Sequence, residues 1–242
     1  MKQLRSSGGM WLTLGEEVLL IDPGPGTLVK CVSSRPKLNP MRLKGIVLTH
    51  RHLDHVSDVN IMIEAMTEGG HKKRGVLFAP ADALDDDPVV LRYLQDFVER
   101  IEVLREGGQY SIGDVLMETP LRHVHSVETY GLRFRMASGK SLSLVTDTRY
   151  FSQLEEVYRT DVVVLNVVLY KSLEGCVIDH LSVEDAERIL EKVRPKVGVL
   201  THFGMTMLRM RPREVAEKMG KRLSIPVVAA RDGMTLDIDK YG

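Results

Sequence analysis

The sequence predicts an α/β fold, and three observations carry that prediction. Short runs of β-branched and aliphatic residues recur along the chain, and segments with helical spacing of apolar residues lie between them. No internal repeat and no Pro/Gly/Ser-rich linker interrupts the alternation. With 242 residues, the expectation is a single domain over 1–242. A compact fold of this size hides roughly 70–75% of its unfolded surface and needs no disulfide staples.

Taken in order, Val18, Leu19, Leu20 and Ile21 form the first strand candidate, stopped by the turn residues Asp22, Pro23 and Gly24. Residues 45–49 and 75–79 are the next two apolar runs. Between them Val56, Val59, Ile63 and Met66 recur at spacings of three and four, one face of a helix. Asp87 and Pro88, followed by Val90, Leu91, Leu94 and Phe97, suggest a helix with proline in its first turn, and Asp85, Asp86 and Asp87 its solvated start. Strand candidates follow at 141–146, 161–168 and 197–201. Ser182 with Asp185 three residues on makes a capping box ahead of Val183, Ala186, Ile189, Leu190 and Val193. Arg194 before Pro195 ends that helix. Residues 213–223 give a last helix before the strand-like 226–230. Runs apolar on both faces suit strands covered by helices.

Hydrophobic residues at 43% and charged residues at 27% exclude disorder, collagen and coiled coil. The 33 basic and 33 acidic residues cancel, so no overall field draws the chain to nucleic acid or anionic lipid. No run approaches the roughly 18–20 apolar residues of a membrane span. Residues 1–9 lack the apolar core of a signal peptide. The two cysteines, Cys31 and Cys176, have no CxxC partner and suit a reducing compartment, with both thiols buried or inert. The expectation is a cytoplasmic protein.

The chemistry lies in the histidines. His50, His52, Asp54 and His55 fall within six residues, directly after the apolar run 45–49. His50 and His52, two apart in extended chain, project to the same side. Asp54 and His55 then approach from the turn that opens the next helix. Imidazole nitrogens with a carboxylate are a ligand set for zinc, iron or manganese. The end of a strand is where α/β proteins build sites, which a merely His-rich polar loop has no reason to occupy.

This HxHxDH pattern after an apolar strand resembles the signature of the metallo-β-lactamase superfamily, and the resemblance runs along almost the whole chain. Residues 18–24 resemble the first family motif, whose aspartate, here Asp22, sits behind the metal site. His125 resembles the third motif, Asp147 within 144–148 the fourth, and His202 within 200–203 the fifth. The resemblance implies a four-layer αβ/βα sandwich with the site at one edge between two sheets. It also implies two divalent metal ions, zinc first, with manganese or iron as alternatives. One would take His50, His52 and His125, the other Asp54, His55 and His202, and Asp147 would bridge them. Cations roughly 3.5–4 Å apart can share a hydroxide made near neutral pH. That hydroxide attacks carbon or phosphorus while the cations take up the developing charge.

His123 and His125 lie two apart and would face the same way in a strand, so the residues alone do not choose between them. The family ligand precedes a Gly-aromatic strand start, which His125, six residues before Gly131, matches better. His71, between glycines and basic residues, reads as an exposed loop residue. His180 directly precedes the capped helix. Ribonuclease Z and its phosphodiesterase relatives carry a histidine in a His-x-Ser/Thr motif there, which contacts phosphate and protonates the leaving oxygen. Asp54 and His180 are therefore the catalytic candidates that the resemblance implies.

Within the superfamily the pattern is closest to the ribonuclease Z-like branch, with two departures. His125 and Asp147 are 22 residues apart, which leaves no room for a tRNA-gripping arm. Asn166 stands where a glutamate supporting the catalytic histidine is expected, and an amide cannot be the negative partner of an imidazolium. The expected substrate is a small phosphodiester or nucleotide. A structured RNA or a membrane is not expected as partner, and homo-oligomerisation is left open. The alternatives are a lactone or thioester hydrolase on the same metals, a tRNA 3′-processing endonuclease, or a ligand-binding protein without turnover. The intact set of seven candidate ligands argues against the last. Residues 68–101 are long enough to place a loop and helix near the site mouth, and whether they form a lid is open.

Overall fold

The computed structural model describes residues 5–6, 8–172, 175 and 178–241. Two sheets face each other. The first holds β1 (Met10–Leu14), β2 (Glu17–Ile21), β3 (Gly45–Val47), β4 (Val76–Ala79) and β5 (Arg100–Val103) in that order. β1 runs antiparallel to β2 and the other pairs are parallel. The second sheet contains β6 (Gly108–Ile112), β7 (Val115–Thr119), β8 (Leu132–Met136), β9 (Ser141–Val145), β10 (Val162–Leu169), β12 (Val197–Thr201) and β13 (Val227–Ala229). Its order is β13-β12-β10-β9-β8-β7-β6, with the short β11 (Leu181–Ser182) beside β10. The strands β9, β10, β12 and β13 are parallel, and β6 to β9 form an antiparallel meander.

Period-two alternation divides the central strands between two cores. Leu19 and Ile21 of β2 enter the core between the sheets, where they meet Met117, Phe134, Leu144 and Val164 of the second sheet. Val18 and Leu20 turn the other way, toward α1 (Thr27–Ser33), α2 (Leu53–Val56), α3 (Val59–Thr67) and α4 (Arg92–Gln95). On the far side Val163, Leu165 and Leu200 pack under α5 (Leu154–Val157), α6 (Val183–Val193), α7 (Met205–Arg209) and α8 (Pro212–Leu223). Three cores separate four layers, the αβ/βα sandwich.

The capping box at Ser182 and Asp185 is present, and α6 ends where Arg194 turns left-handed. Two helix expectations are corrected. Residues 87–97 do not form a helix from Pro88; only the single turn α4 is helical. The Asn60 side chain donates to the Val89 carbonyl and accepts the Leu91 N–H, both at 2.9 Å, which holds that segment extended. Asp85, Asp86 and Asp87 are exposed, as expected, but start no helix. The helix at Val56–Met66 is broken between α2 and α3. There Asp58 donates its N–H to the Pro23 carbonyl, and its carboxylate accepts the N–H groups of Gly26 and Leu28 at the start of α1. Cys31 is buried and Cys176 lies outside the described residues. Among the described residues no helix is long and apolar enough to cross a membrane.

Candidate metal centre

The parallel strands deliver their chemistry at one edge. Asp22 follows β2, the segment Thr49 to His55 follows β3, Asp147 follows β9, and His202 follows β12. His125 comes from the loop between β7 and β8, and His180 from just before β11. Asp22 and His202 are non-glycine residues at φ 49° and 57°, a left-handed backbone that costs energy and recurs at functional sites.

These side chains converge. His50, His52 and His125 form one group of potential ligands, and Asp54, His55 and His202 another; within each group the donor atoms lie within 4.8 Å of one another. Between the groups stands Asp147, whose Oδ2 lies 3.3 Å from His202 Nε2, 3.4 Å from His55 Nε2 and 3.8 Å from His50 Nε2. His52 Nδ1 faces His125 Nε2 at 3.1 Å, and His55 Nε2 faces His202 Nε2 at 3.0 Å. Asp22 stands behind: Oδ1 accepts the Thr49 N–H at 2.7 Å, and Oδ2 takes the Thr49 hydroxyl at 2.7 Å and His55 Nδ1 at 2.9 Å. His125 Nδ1 donates to the Asp179 carbonyl at 3.0 Å.

This donor set fits divalent cations. Imidazole nitrogens converge in pairs, and the buried His50 Nε2 has no hydrogen-bond partner. Among the described residues no lysine or arginine lies within ion-pair distance of Asp22, Asp54 or Asp147. Buried carboxylates without such partners call for positive charge from elsewhere. The electrostatics agree. Burial works against protonating His55, yet the Asp147 and Asp22 carboxylates outweigh it and hold its pKa well above the ordinary imidazole value. Burial would raise the Asp147 carboxyl, but His202 and His55 hold it well below the usual range. Burial lowers His50 strongly, and His52, His125 and His180 less so.

His180 lies at the open side of the cluster. Its Nδ1 is 3.6 Å from Asp147 Oδ2 without a hydrogen-bond partner, and its ring is 5.2 Å from that of His125. His123 is turned away from the cluster: it is buried, its Nε2 pairs with the Tyr158 hydroxyl at 2.8 Å, and burial pushes its pKa down to about 3. His71 is exposed. Asn166 does not face His180; its amide donates to Asp147 Oδ1 at 2.7 Å. Residues 68–101 are braced against the site wall. Arg51 donates to the Asp87 carbonyl at 2.8 Å, and Asp82 and Glu128 hold each other's backbone.

Sequence reasoning missed Thr49 and Thr146, whose hydroxyls meet at 3.1 Å behind the cluster. A signal was available: threonine directly precedes His50, Asp147 and His202, each time as a strand gives way to the site. It also missed the Asp82–Glu128 pair, for which no local pattern exists.

A model of the beta-lactamase superfamily domain matches residues 18–203. The chain is 27% identical to the uncharacterized protein MJ1374 of Methanocaldococcus jannaschii, over 98% of this chain and 89% of that one. Its fold is similar to that of the metallo-beta-lactamase fold protein YhfI of Bacillus subtilis, with a TM-score of 0.80 at 18% identity, covering 97% of this chain and 92% of that one. It is also similar to a diphosphatase of the PhnP family, with a TM-score of 0.70 at 21% identity, covering 96% and 84%.

Proposed function

The chain belongs to the beta-lactamase superfamily of metal-dependent hydrolases, and from that premise we propose that it hydrolyses a small phosphodiester or nucleotide with two divalent metal ions, zinc first among them. His50, His52 and His125 would hold one ion, Asp54, His55 and His202 the other, and Asp147, which stands between the two groups, would serve both. Such ions, when bound, supply Lewis acidity and lower the pKa of water toward neutrality. The reading takes the chain as one working unit, because the first sheet brings Asp22, His50 and His55 and the second brings Asp147 and His202.

The protein's own groups do the rest. Asp22 and the Asp179 carbonyl fix the rings of His55 and His125 by holding their Nδ1 atoms. Asp54, with a side chain 31% exposed, faces the open side and can accept a proton from attacking water. His180 carries the choice of phosphorus chemistry. It is an imidazole beyond the ligand groups, 25% exposed, with Nδ1 against Asp147 Oδ2 and Nε2 left for a leaving oxygen. The similarity in fold to a diphosphatase supports the same direction.

The deciding experiment assays metal-loaded protein on bis-p-nitrophenyl phosphate and, in parallel, on lactones and thioesters. Turnover of the phosphodiester is expected. Activity confined to lactones or thioesters would move the assignment to carbon-centred hydrolysis on the same residues.

A further inference from the structure

We propose that Asn166, Thr146 and Thr49 form a one-way chain of hydrogen-bond donors, ending on Asp22, that decides which atoms of Asp147, His50 and His55 are left bare toward the centre. The proposal rests on reading those three as metal ligands.

Asn166 is the single polar side chain of β10, and it is buried. A carboxylate oxygen only accepts, so the amide nitrogen must face Asp147 Oδ1, 2.7 Å away. With Oδ1 engaged, Oδ2 alone approaches His202, His55 and His50. The second amide proton points at Thr146 Oγ1, at 3.4 Å. Thr146 Oγ1 is left to donate to Thr49 Oγ1, 3.1 Å away. Thr49 has one hydroxyl proton, and Asp22 Oδ2 at 2.7 Å can only accept it. Thr49 Oγ1 therefore accepts from His50 Nδ1 at 3.1 Å, which makes Nδ1 the protonated nitrogen of that ring. His50 Nε2 is left as a lone pair, and it is the buried atom that has no partner. Asp22 Oδ2 also takes the Nδ1 proton of His55 at 2.9 Å, which leaves Nε2 as the nitrogen that faces the centre. Because carboxylates stand at both ends, each link has one direction. The threonines are positioning residues, and they tie the second sheet's ligand to those of the first.

The test compares Thr49→Val, which keeps the shape and loses the hydroxyl, with Thr49→Ser, which keeps the hydroxyl. Each is titrated with Co²⁺, following the visible absorption band, and His50 is observed by ¹⁵N NMR. Thr49→Val is expected to bind Co²⁺ about 10–100-fold more weakly, with an altered band and mixed His50 tautomers, while Thr49→Ser stays within about twofold of the unaltered protein. Should Thr49→Val not fold, Asn166→Leu makes the same comparison from the other end of the chain. Unaltered affinity, band and tautomer in folded Thr49→Val would overturn the proposal. A His50→Ala control that keeps both Co²⁺ ions would show instead that the ligand reading itself fails.

Discussion

The backbone N–H groups of Asp82 and Glu128 each donate to the other residue's carboxylate, at 3.2 and 3.0 Å. Tyr130 adds its hydroxyl to the second Glu128 oxygen at 2.6 Å. Three residues beyond His125, the loop from the second sheet is thereby pinned to the wall of the first. Glu128→Ala is expected to cost about 1–3 kcal/mol, because it strips acceptors from two donors. It should also weaken metal binding about tenfold by letting His125 drift. Thermal denaturation and metal titration check both. Lost stability with unchanged metal affinity would show that His125 keeps its place without the clamp.

Glu118 sets part of the acid stability. Its side chain, 8% exposed, lies 2.8 Å from Arg133 and 3.2 Å from Arg135. Burial opposes its ionisation, but the hydrogen bond from Arg133 and the charges of both arginines outweigh burial and hold its pKa below the ordinary value. A carboxyl depressed in the folded state contributes stability above its unfolded pKa of about 4.3 and loses it as pH falls through the folded value. Glu118→Gln should therefore destabilise the protein at pH 7 and flatten the acid limb of a stability–pH curve. A variant whose curve runs parallel to the unaltered protein's below pH 5 would contradict this.

Gly131 opens β8 against a wall of polar atoms. A β-carbon there would overlap the Tyr158 hydroxyl and lie 2.5 Å from His123 Nε2. Gly131→Ala is expected to cost about 1–3 kcal/mol by overpacking. Tyr158→Phe alone leaves His123 Nε2 without its partner, yet it also removes the obstructing oxygen. The double variant should therefore be less destabilised than the two single costs together. Strict additivity by chemical denaturation would mean that the backbone, not Tyr158, absorbs the added carbon.

Cation removal should be felt by the whole fold. His50, His52, His55, His125, His202 and the carboxylates Asp22, Asp54 and Asp147 crowd one edge that joins both sheets. Each cation site filled only in the folded state at about a hundred times Kd stabilises it by about 2.7 kcal/mol. Emptying one site with a chelator should thus lower Tm by roughly 5–10 °C for a chain of this length, and emptying both by about twice that. Adding back zinc or manganese should restore it. A Tm indifferent to chelation would count against cations at these residues.

The α/β class and the HxHxDH cluster were legible because each rests on short-range pattern. Val18 to Ile21 shows its strand in four residues, and His50 and His52 show a shared face by parity alone. Strands β5 to β7 were not read, because segments such as Arg100–Val103 and Gly108–Ile112 alternate polar with apolar residues and lack long apolar runs. The helix expected from Pro88 failed because Asn60, some thirty residues away, supplies the hydrogen bonds that a helix would have supplied. Asn166 shows the same limit at the site. Its sequence position suggested a partner for His180, whereas its amide lies on Asp147, and only the parallel pairing of β9 with β10 decides that.

His180 allows the sharpest separation of roles. It stands outside both ligand groups, so His180→Ala should leave the metal content intact. If its Nε2 gives a proton to the leaving oxygen, the loss depends on how much that oxygen needs one. An alkoxide leaving group needs the proton, and kcat for an alkyl phosphodiester should fall about 10²–10⁴-fold. Because p-nitrophenolate is stable without a proton, bis-p-nitrophenyl phosphate should suffer much less. Burial lowers the His180 pKa, which makes the protonated ring a stronger donor. Activity on alkyl esters should accordingly decline as pH rises past the His180 pKa, and this decline should vanish in the variant. Equal losses on both esters would assign the ring to phosphate binding, and loss of metal would assign it to the centre itself.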